Sequence, residues 1–341
     1  MADTPAHLAA LPRVAEAALT PDQLDEALRD ASEPFVVRGL ARDWPLVRAG
    51  LDSGAAARAY LASQARDRTF PASLANHGGD ERLFYDEAMA MNFRMAQAPF
   101  EDWLAALDRA EADPAAPTVY LSSIDIDGYF GGLGAANALP LGDRRALASI
   151  WIGSRTRIAA HNDVPDNLAV CAVGRRRFTL FPPGQFANLY PGPLENNPGG
   201  RPVSMVDLLA PDLAVYPRFA EALQHAQVAE LEPGDAVFVP SLWWHHVEGL
   251  APFNVLVNYW WRDVPHFLGQ PEDALYHAIL AIRDLPEADR ARWREQFEHY
   301  AFSGGSTAAE HLPAAARGVL APLTAETASQ IKAKLLRGLS R

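Results

Sequence analysis

The tightest constraint on the fold lies between Ile150 and Arg262, where short β-branched and aromatic runs recur between prolines and glycines. Residues 149–153, 167–173, 177–181, 236–240 and 254–260 each have the length and composition of a single strand. Several short strands at such intervals suggest a β-sandwich or barrel and argue against a doubly wound sheet. One interruption, Tyr190 to His225, is too long and proline-rich to be a hairpin turn. It reads either as a loop covering a site or as a surface excursion.

The flanks have a different texture. Thr20-Pro21-Asp22 places a cap and an early proline at the mouth of a helix running to about Asp30, and residues 34–39 form a β-rich run ended by glycine. Asp43-Trp44-Pro45 must turn, because proline biases the residue before it away from helix. Helical patterns cover 53–66 and 100–111, with strand and turn signals from Arg82 to Phe93. After Pro271 the strand signals stop, and 274–283, 286–300 and 325–339 have helical spacing, with a loop over 302–306. The organisation expected is an N-terminal α/β region over 1–130, a β-core over 131–265 and a helical region over 266–341, which either packs on the core or pairs with a second copy.

Charge and cysteine usage narrow the chemistry. With 30 basic and 42 acidic side chains, the net charge of -12 argues against a general nucleic-acid or anionic-membrane binder. The N-terminal stretch lacks the basic start and apolar run of a secretory signal, and no segment reaches membrane-spanning length, so a soluble cytoplasmic protein is expected. The single cysteine, Cys171, forms neither an internal disulfide nor a thiolate cluster. Metal binding here must rest on histidine and carboxylate.

His161-Asn162-Asp163, followed far downstream by Trp243-Trp244-His245-His246, supplies those groups. In a strand, residues i and i+2 share a face, so His161 and Asp163 would stand side by side, and a later strand would bring a third ligand. Two histidines and one carboxylate on one face of a divalent metal leave positions open, as suits a non-haem Fe(II) oxygenase. A lone His-x-Asp is weak, and paired histidines also serve as core or interface residues. The order counts here: His-x-Asp, a long β-rich stretch, then a histidine just past a strand.

The segment from His161 to Pro183, with Asn167, the arginines 175–177 and Leu180-Phe181-Pro182-Pro183, resembles the JmjC-type, cupin-like 2-oxoglutarate oxygenases. So do residues 233–260 and the Pro34 to Pro45 segment. The family includes bacterial cupin-like proteins and the hypoxia-inducible factor asparaginyl hydroxylase. The resemblance implies a mainly β chain with flanking helices: a double-stranded β-helix (cupin or jelly-roll) core, an N-terminal α/β region and a C-terminal helical region. It also implies Fe(II) held by His161, Asp163 and His245; His245 is preferred over His246 because the family's ligand directly follows the tryptophan. Asn167 and Asn258 match the positions that contact the metal-proximal end of 2-oxoglutarate, and Tyr120 and Arg176 those that hold its far carboxylate. Two positions depart from the hydroxylase: Arg176 replaces a lysine, and Ile158 replaces a threonine. The two changes compensate, or the pocket holds a different small carboxylate. Trp260 faces the same pocket, with Trp243, Trp244 and Trp261 nearby; large aromatics in a barrel are otherwise core.

The implied activity is 2-oxoglutarate-dependent hydroxylation, with succinate and carbon dioxide released. A protein or peptide substrate is expected, a small molecule is possible, and a homodimer could form through the C-terminal helices. The alternative is a cupin-like metalloprotein that uses its metal as a Lewis acid or simply binds a small ligand.

Overall fold

The computed structural model describes residues 4–75, 81–113, 115–303 and 307–340. Its first seven strands are β1 (Ala15–Glu16), β2 (Phe35–Val37), β3 (Thr69–Ala75), β4 (Arg82–Leu83), β5 (Arg94–Pro99), β6 (Thr118–Asp125) and β7 (Leu147–Gly153). The remaining seven are β8 (Thr156–Asn162), β9 (Asp166–Val173), β10 (Arg176–Phe181), β11 (Gln227–Leu231), β12 (Ala236–Val239), β13 (Trp244–Gly249) and β14 (Asn254–Trp261). They form a nine-stranded sheet in the order β1-β2-β12-β9-β14-β7-β6-β3-β5 and a five-stranded sheet in the order β11-β10-β13-β8-β4. The result is a jelly-roll core with flanking helices.

The two-residue period of a strand sorts the side chains into layers. On β9, Ala169 and Cys171 join the cluster between the sheets with Phe178, Leu180, Val237 and Leu256, whereas Leu168, Val170 and Ala172 belong to the cluster on the far face of the large sheet. Helices cover that far face. Helix Phe100–Ala112 buries Trp103, Leu104 and Leu107 there, and Trp103 Nε1 donates to the Phe70 carbonyl at 2.8 Å. The strands near the N-terminus, β3, β5 and β6, therefore extend the same sheet that β7, β9 and β14 build. Burial throughout the sandwich supplies its stability, at roughly 25 cal/mol per Å² of apolar surface removed from water.

Gly174 turns β9 into β10 at φ +78°, and a Cβ there would lie 2.6 Å from the Phe253 carbonyl oxygen, so only glycine fits. The turn at residues 43–45 leads into a helix that the sequence reading left out. Trp44 is extended, and Pro45 opens helix Pro45–Asp52, where its missing N–H costs nothing. The insertion after β10 carries a 3-10 turn, Pro183–Leu189, and helix Phe219–Gln224. It also lies along β8: Val203 bridges His161, and the Ser204 amide donates to the Ala160 carbonyl at 2.6 Å.

The chain divides into two compact units, Met1–Arg262 and Asp263–Arg341. The second consists of helices Pro271–Ala281, Glu287–Phe297 and Ala325–Leu339, with a π turn at Glu298–Phe302 and short 3-10 turns. Of the loop expected over 302–306, residues 304–306 lie outside the described residues.

Candidate active site

The site occupies one end of the space between the sheets. On the small sheet, register puts Leu180 opposite His245 and Phe178 opposite Val247, with Arg176 next along the same inward row. Across β13, His245 pairs with His161 and Val247 with Ile158. Two residues on β13 thus span three on β8, a bulge at Ala159–Ala160. That extra residue turns His161 inward beside Ile158; in unbroken alternation the two would face opposite ways. On the large sheet, Asn258 and Trp260 share the inward row of Leu256, and Asn167 that of Ala169.

Strand β8 ends at Asn162, so Asp163 lies just beyond it. Its carbonyl accepts the Leu242 amide at 2.8 Å, which ties it to the turn before β13. Its Oδ2 lies 3.6 Å from His245 Nε2, and one ligand atom from each of His161, Asp163 and His245 falls within 4.8 Å of the others. These three groups could hold a metal ion. Each imidazole is oriented from behind: His161 Nδ1–H donates to the Ala159 carbonyl at 2.9 Å and His245 Nδ1–H to the Trp243 carbonyl at 3.1 Å. Both Nε2 lone pairs are thereby left to point into the site. Burial first, then the neighbouring His245, lowers the His161 pKa to about 4. Burial works to raise Asp163, but the close approach of His245, then His161 and Arg201, outweighs it and brings Asp163 to about 2. At neutral pH the site offers a neutral imidazole and a carboxylate, the forms that bind metal.

Beside the triad is a cavity of about 50 Å³ whose lining includes Tyr120, Trp151, Ile158, Asn167, Arg176, Asn258 and Trp260. Arg176 is 1% exposed, and its Nε and Nη2 have no acceptor among the described residues. A buried guanidinium with donors left open is costly, and a carboxylate that accepts both satisfies it. The Tyr120 hydroxyl stands beside it; burial raises that phenol's pKa while the Arg176 charge opposes the rise. Asn258 is already engaged: its Oδ1 accepts from Trp151 Nε1 at 2.7 Å and its Nδ2 donates to Asn167 Oδ1 at 3.2 Å. Trp260 packs edge-on against Trp151, with its Nε1 buried and without a partner among the described residues. The sequence reading did not single out Trp151, although its position opposite Leu256 puts it in the inward row.

The other tryptophans stay out of this lining. Trp244 and Trp261 face outward against Phe186 and Phe238, and Trp243 sits in the apolar part of the interior. His246 looks away from the site, opposite Thr179, buried, with Nδ1 3.9 Å from Glu248. Of the three adjacent arginines only Arg175 is substantially solvent-facing, while Arg177 is buried on the outer face against Glu248 and Glu230.

A second cavity of about 250 Å³ shares Tyr120, Trp151, Ile158 and His161 with the first. Pro198, Gly199, Arg201 and Val203 from the 190–225 insertion line it, as do Ser122 and Ser123 of β6. None of these six was foreseen as an individual site residue.

The family model for the cupin-like domain matches residues 21–267. The chain belongs to this cupin-like domain family. Its relatives include a lysine-specific demethylase of Arabidopsis thaliana, 37% identical over 124 residues, 36% of this chain and 22% of the relative. HSPB1-associated protein 1 of Homo sapiens is 34% identical over 154 residues (42% and 30%), and tRNA wybutosine-synthesizing protein 5 of Danio rerio is 37% identical over 105 residues (31% and 29%). The chain thus spans under a third of the length of these three relatives. They place the cupin-like domain among the JmjC-type proteins.

Proposed function

We propose that this cupin-like chain is an Fe(II)- and 2-oxoglutarate-dependent oxygenase that hydroxylates a protein or peptide side chain, releasing succinate and carbon dioxide. One observation carries the reading. A His-Asp-His group able to hold a metal adjoins a cavity whose wall includes a buried arginine with unfilled donors. His161, Asp163 and His245 would hold the iron, which when bound supplies oxygen activation. The chain's own residues do the positioning. Arg176 and Tyr120 take the far carboxylate of the cosubstrate, and Asn167 and Asn258 face its metal-proximal end. Trp151, Trp260 and Ile158 make the wall beside the cosubstrate apolar and limit its hydration. Arginine in place of lysine suits a two-point grip on a carboxylate, and Ile158 makes the adjoining wall apolar. A Lewis-acid site would have no use for a buried cation facing the metal across a cavity, which favours the oxygenase reading over a hydrolytic or ligand-binding cupin.

Protein loaded with iron under nitrogen, then given 2-oxoglutarate and oxygen, should form succinate even without a substrate. No retained iron and no succinate, with or without peptides, would overturn the reading; iron retained without any binding of a 2-oxoglutarate analogue would leave the Lewis-acid cupin.

We also propose that the C-terminal unit pairs two copies of the chain. Helices Pro271–Ala281 and Glu287–Phe297 bury no residue, and Leu280, Phe302, Leu336 and Leu339 are each more than half exposed. Apolar faces on this scale call for a cover, and the same unit in a second copy offers a matching surface. Light scattering should give twice the chain mass, falling to one for Leu336→Glu; a wild-type monomer at micromolar concentration would refute it.

A further inference from the structure

Ser122 and Ser123 are consecutive residues of one strand, yet both line the 250 Å³ cavity. A regular strand cannot do this, because neighbours point to opposite faces. The register supplies the cause: Leu121 pairs with Ile152 but Ile124 with Ile150, so β6 carries one extra residue between them. Leu121 and Ile124 both enter the core of the large sheet's far face, and the two serines between them are both turned to the cavity. Ser123 takes the left-handed conformation at φ +50°, which costs a non-glycine residue energy unless the surroundings impose it. Bulges beside active sites commonly re-aim a side chain in this way.

Among the described residues neither serine hydroxyl has a hydrogen-bond partner. Around them stand Phe93, Leu83, Val203 and Ile158. The charged member of the wall is Arg201, fixed by donating from Nε to the Asn162 carbonyl at 3.0 Å and from Nη2 to Asn162 Oδ1 at 2.8 Å. Among the described residues that line this cavity there is no carboxylate. A lysine or arginine side chain entering it would be desolvated beside the Arg201 guanidinium, with no carboxylate among the described lining residues to receive it. An uncharged side chain with a donor and an acceptor meets two free hydroxyls instead.

We propose that the Ser122–Ser123 bulge is a specificity element that hydrogen-bonds an uncharged polar side chain of a peptide substrate, and that this cavity selects against lysine and arginine. The proposal rests on the oxygenase reading, since it takes this cavity as the one through which substrate reaches the triad. The selection runs opposite to what the name of the lysine-specific demethylase relative says of that protein.

The test uses degenerate peptide pools, each with one fixed central residue, incubated with the 341-residue chain under nitrogen with Fe(II) and 2-oxoglutarate. Retained peptides are quantified by mass spectrometry. Pools centred on glutamine, serine or threonine should be retained at least roughly tenfold over lysine and arginine pools, the discrimination of about one charge-sized interaction. Ser123→Asp, a residue that tolerates the left-handed conformation, places a carboxylate at the bulge and should reverse the preference toward lysine. The double change Ser122→Ala with Ser123→Ala should lose the retained pools while melting within a few degrees of wild type. Equal or better retention of lysine and arginine pools by the wild type, no retention of any pool, or full discrimination in the double variant would each overturn the proposal. Iron content in the same samples, and succinate formation once they are opened to oxygen, report separately on the oxygenase reading. Should the protein hold no iron, that reading falls, and pool retention on the metal-free protein still decides the selection.

Discussion

Two pairs of neighbours on the small sheet, His245 with His246 and Arg176 with Arg177, have nearly the same composition and opposite circumstances. The outward members are enclosed in structure: Arg177 donates toward Glu248 at 3.3 Å and Glu230 at 3.1 Å, and His246 is held neutral, its pKa pushed down to about 3 first by burial and then by Arg157 and Arg82. The inward members face the space between the sheets. Arg176 is the more buried of the two arginines yet has no carboxylate beside it among the described residues, and His245 converges with His161 and Asp163. Chemical type alone therefore does not distinguish a ligand-binding residue from a structural one here. The difference lies in which face of the strand carries the group, and in whether its buried charge is already matched.

The comparison breaks most readily at the histidines. Asp163→Ala or His245→Ala should remove iron retention beyond the roughly 10–100-fold that a hydrogen-bonding neighbour of a ligand is worth, whereas His246→Ala should keep wild-type iron content by elemental analysis. Iron loss in His246→Ala with retention in His245→Ala would reverse the assignment. The arginines give the next largest effect. Arg177→Met strands Glu248, 5% exposed, and should cost about 3–5 kcal/mol in urea unfolding, with 2-oxoglutarate affinity unchanged. Arg176→Met should weaken 2-oxoglutarate binding by roughly 100-fold and leave the stability of the metal-free protein equal or higher, because it removes an unmatched buried charge.

Acid sharpens the same contrast by a smaller amount. His161 and His246 have folded pKa values of about 4 and about 3, below their ordinary 6.5, so the unfolded chain binds more protons within that window. Their contribution is fully present above pH 6.5 and is lost as pH falls toward 4 and below. Metal-free protein should thus lose stability over that range, and His246→Gln should remove part of the slope without touching iron retention at pH 7. A stability profile flat from pH 7 to 4 would contradict this account. The smallest expected effect concerns Cys171, fully buried between the sheets, its thiol pushed up to about 12 by burial. It should resist alkylation at pH 7 in the native protein and react once the chain is unfolded.

Much of the architecture was legible because strand signals are local. The runs at 167–173, 177–181, 236–240 and 254–260 became strands β9, β10, β12 and β14, since β-branched and aromatic residues fit a pleated, half-buried surface whatever their partners. Helix 325–339 was equally plain, with Thr324 as its cap. Strands β3, β5 and β11, with few such residues, gave little local signal and owe their state to pairing in the sheets. The aromatic walls were harder to sort, because a tryptophan in a strand says nothing of its facing until the register is known; Trp151 lines the cavity and Trp244 and Trp261 do not.

The amino-acid sequence by itself determined the donor set: with one cysteine, metal ligation had to come from histidine and carboxylate, while strand parity lets only one of two adjacent residues face inward and the resemblance to the JmjC-type oxygenases is what pointed to His245 and Arg176. Tertiary structure alone decided the two bulges that line the site. At Ala159–Ala160 an extra residue brings His161 onto the face of Ile158, and at Ser122–Ser123 another turns two adjacent hydroxyls to one cavity. A bulge depends on how a strand must bend to stay paired on both sides, β6 between β3 and β7 and β8 between β13 and β4. That condition is set by partners distant in the chain, so no local pattern announces it.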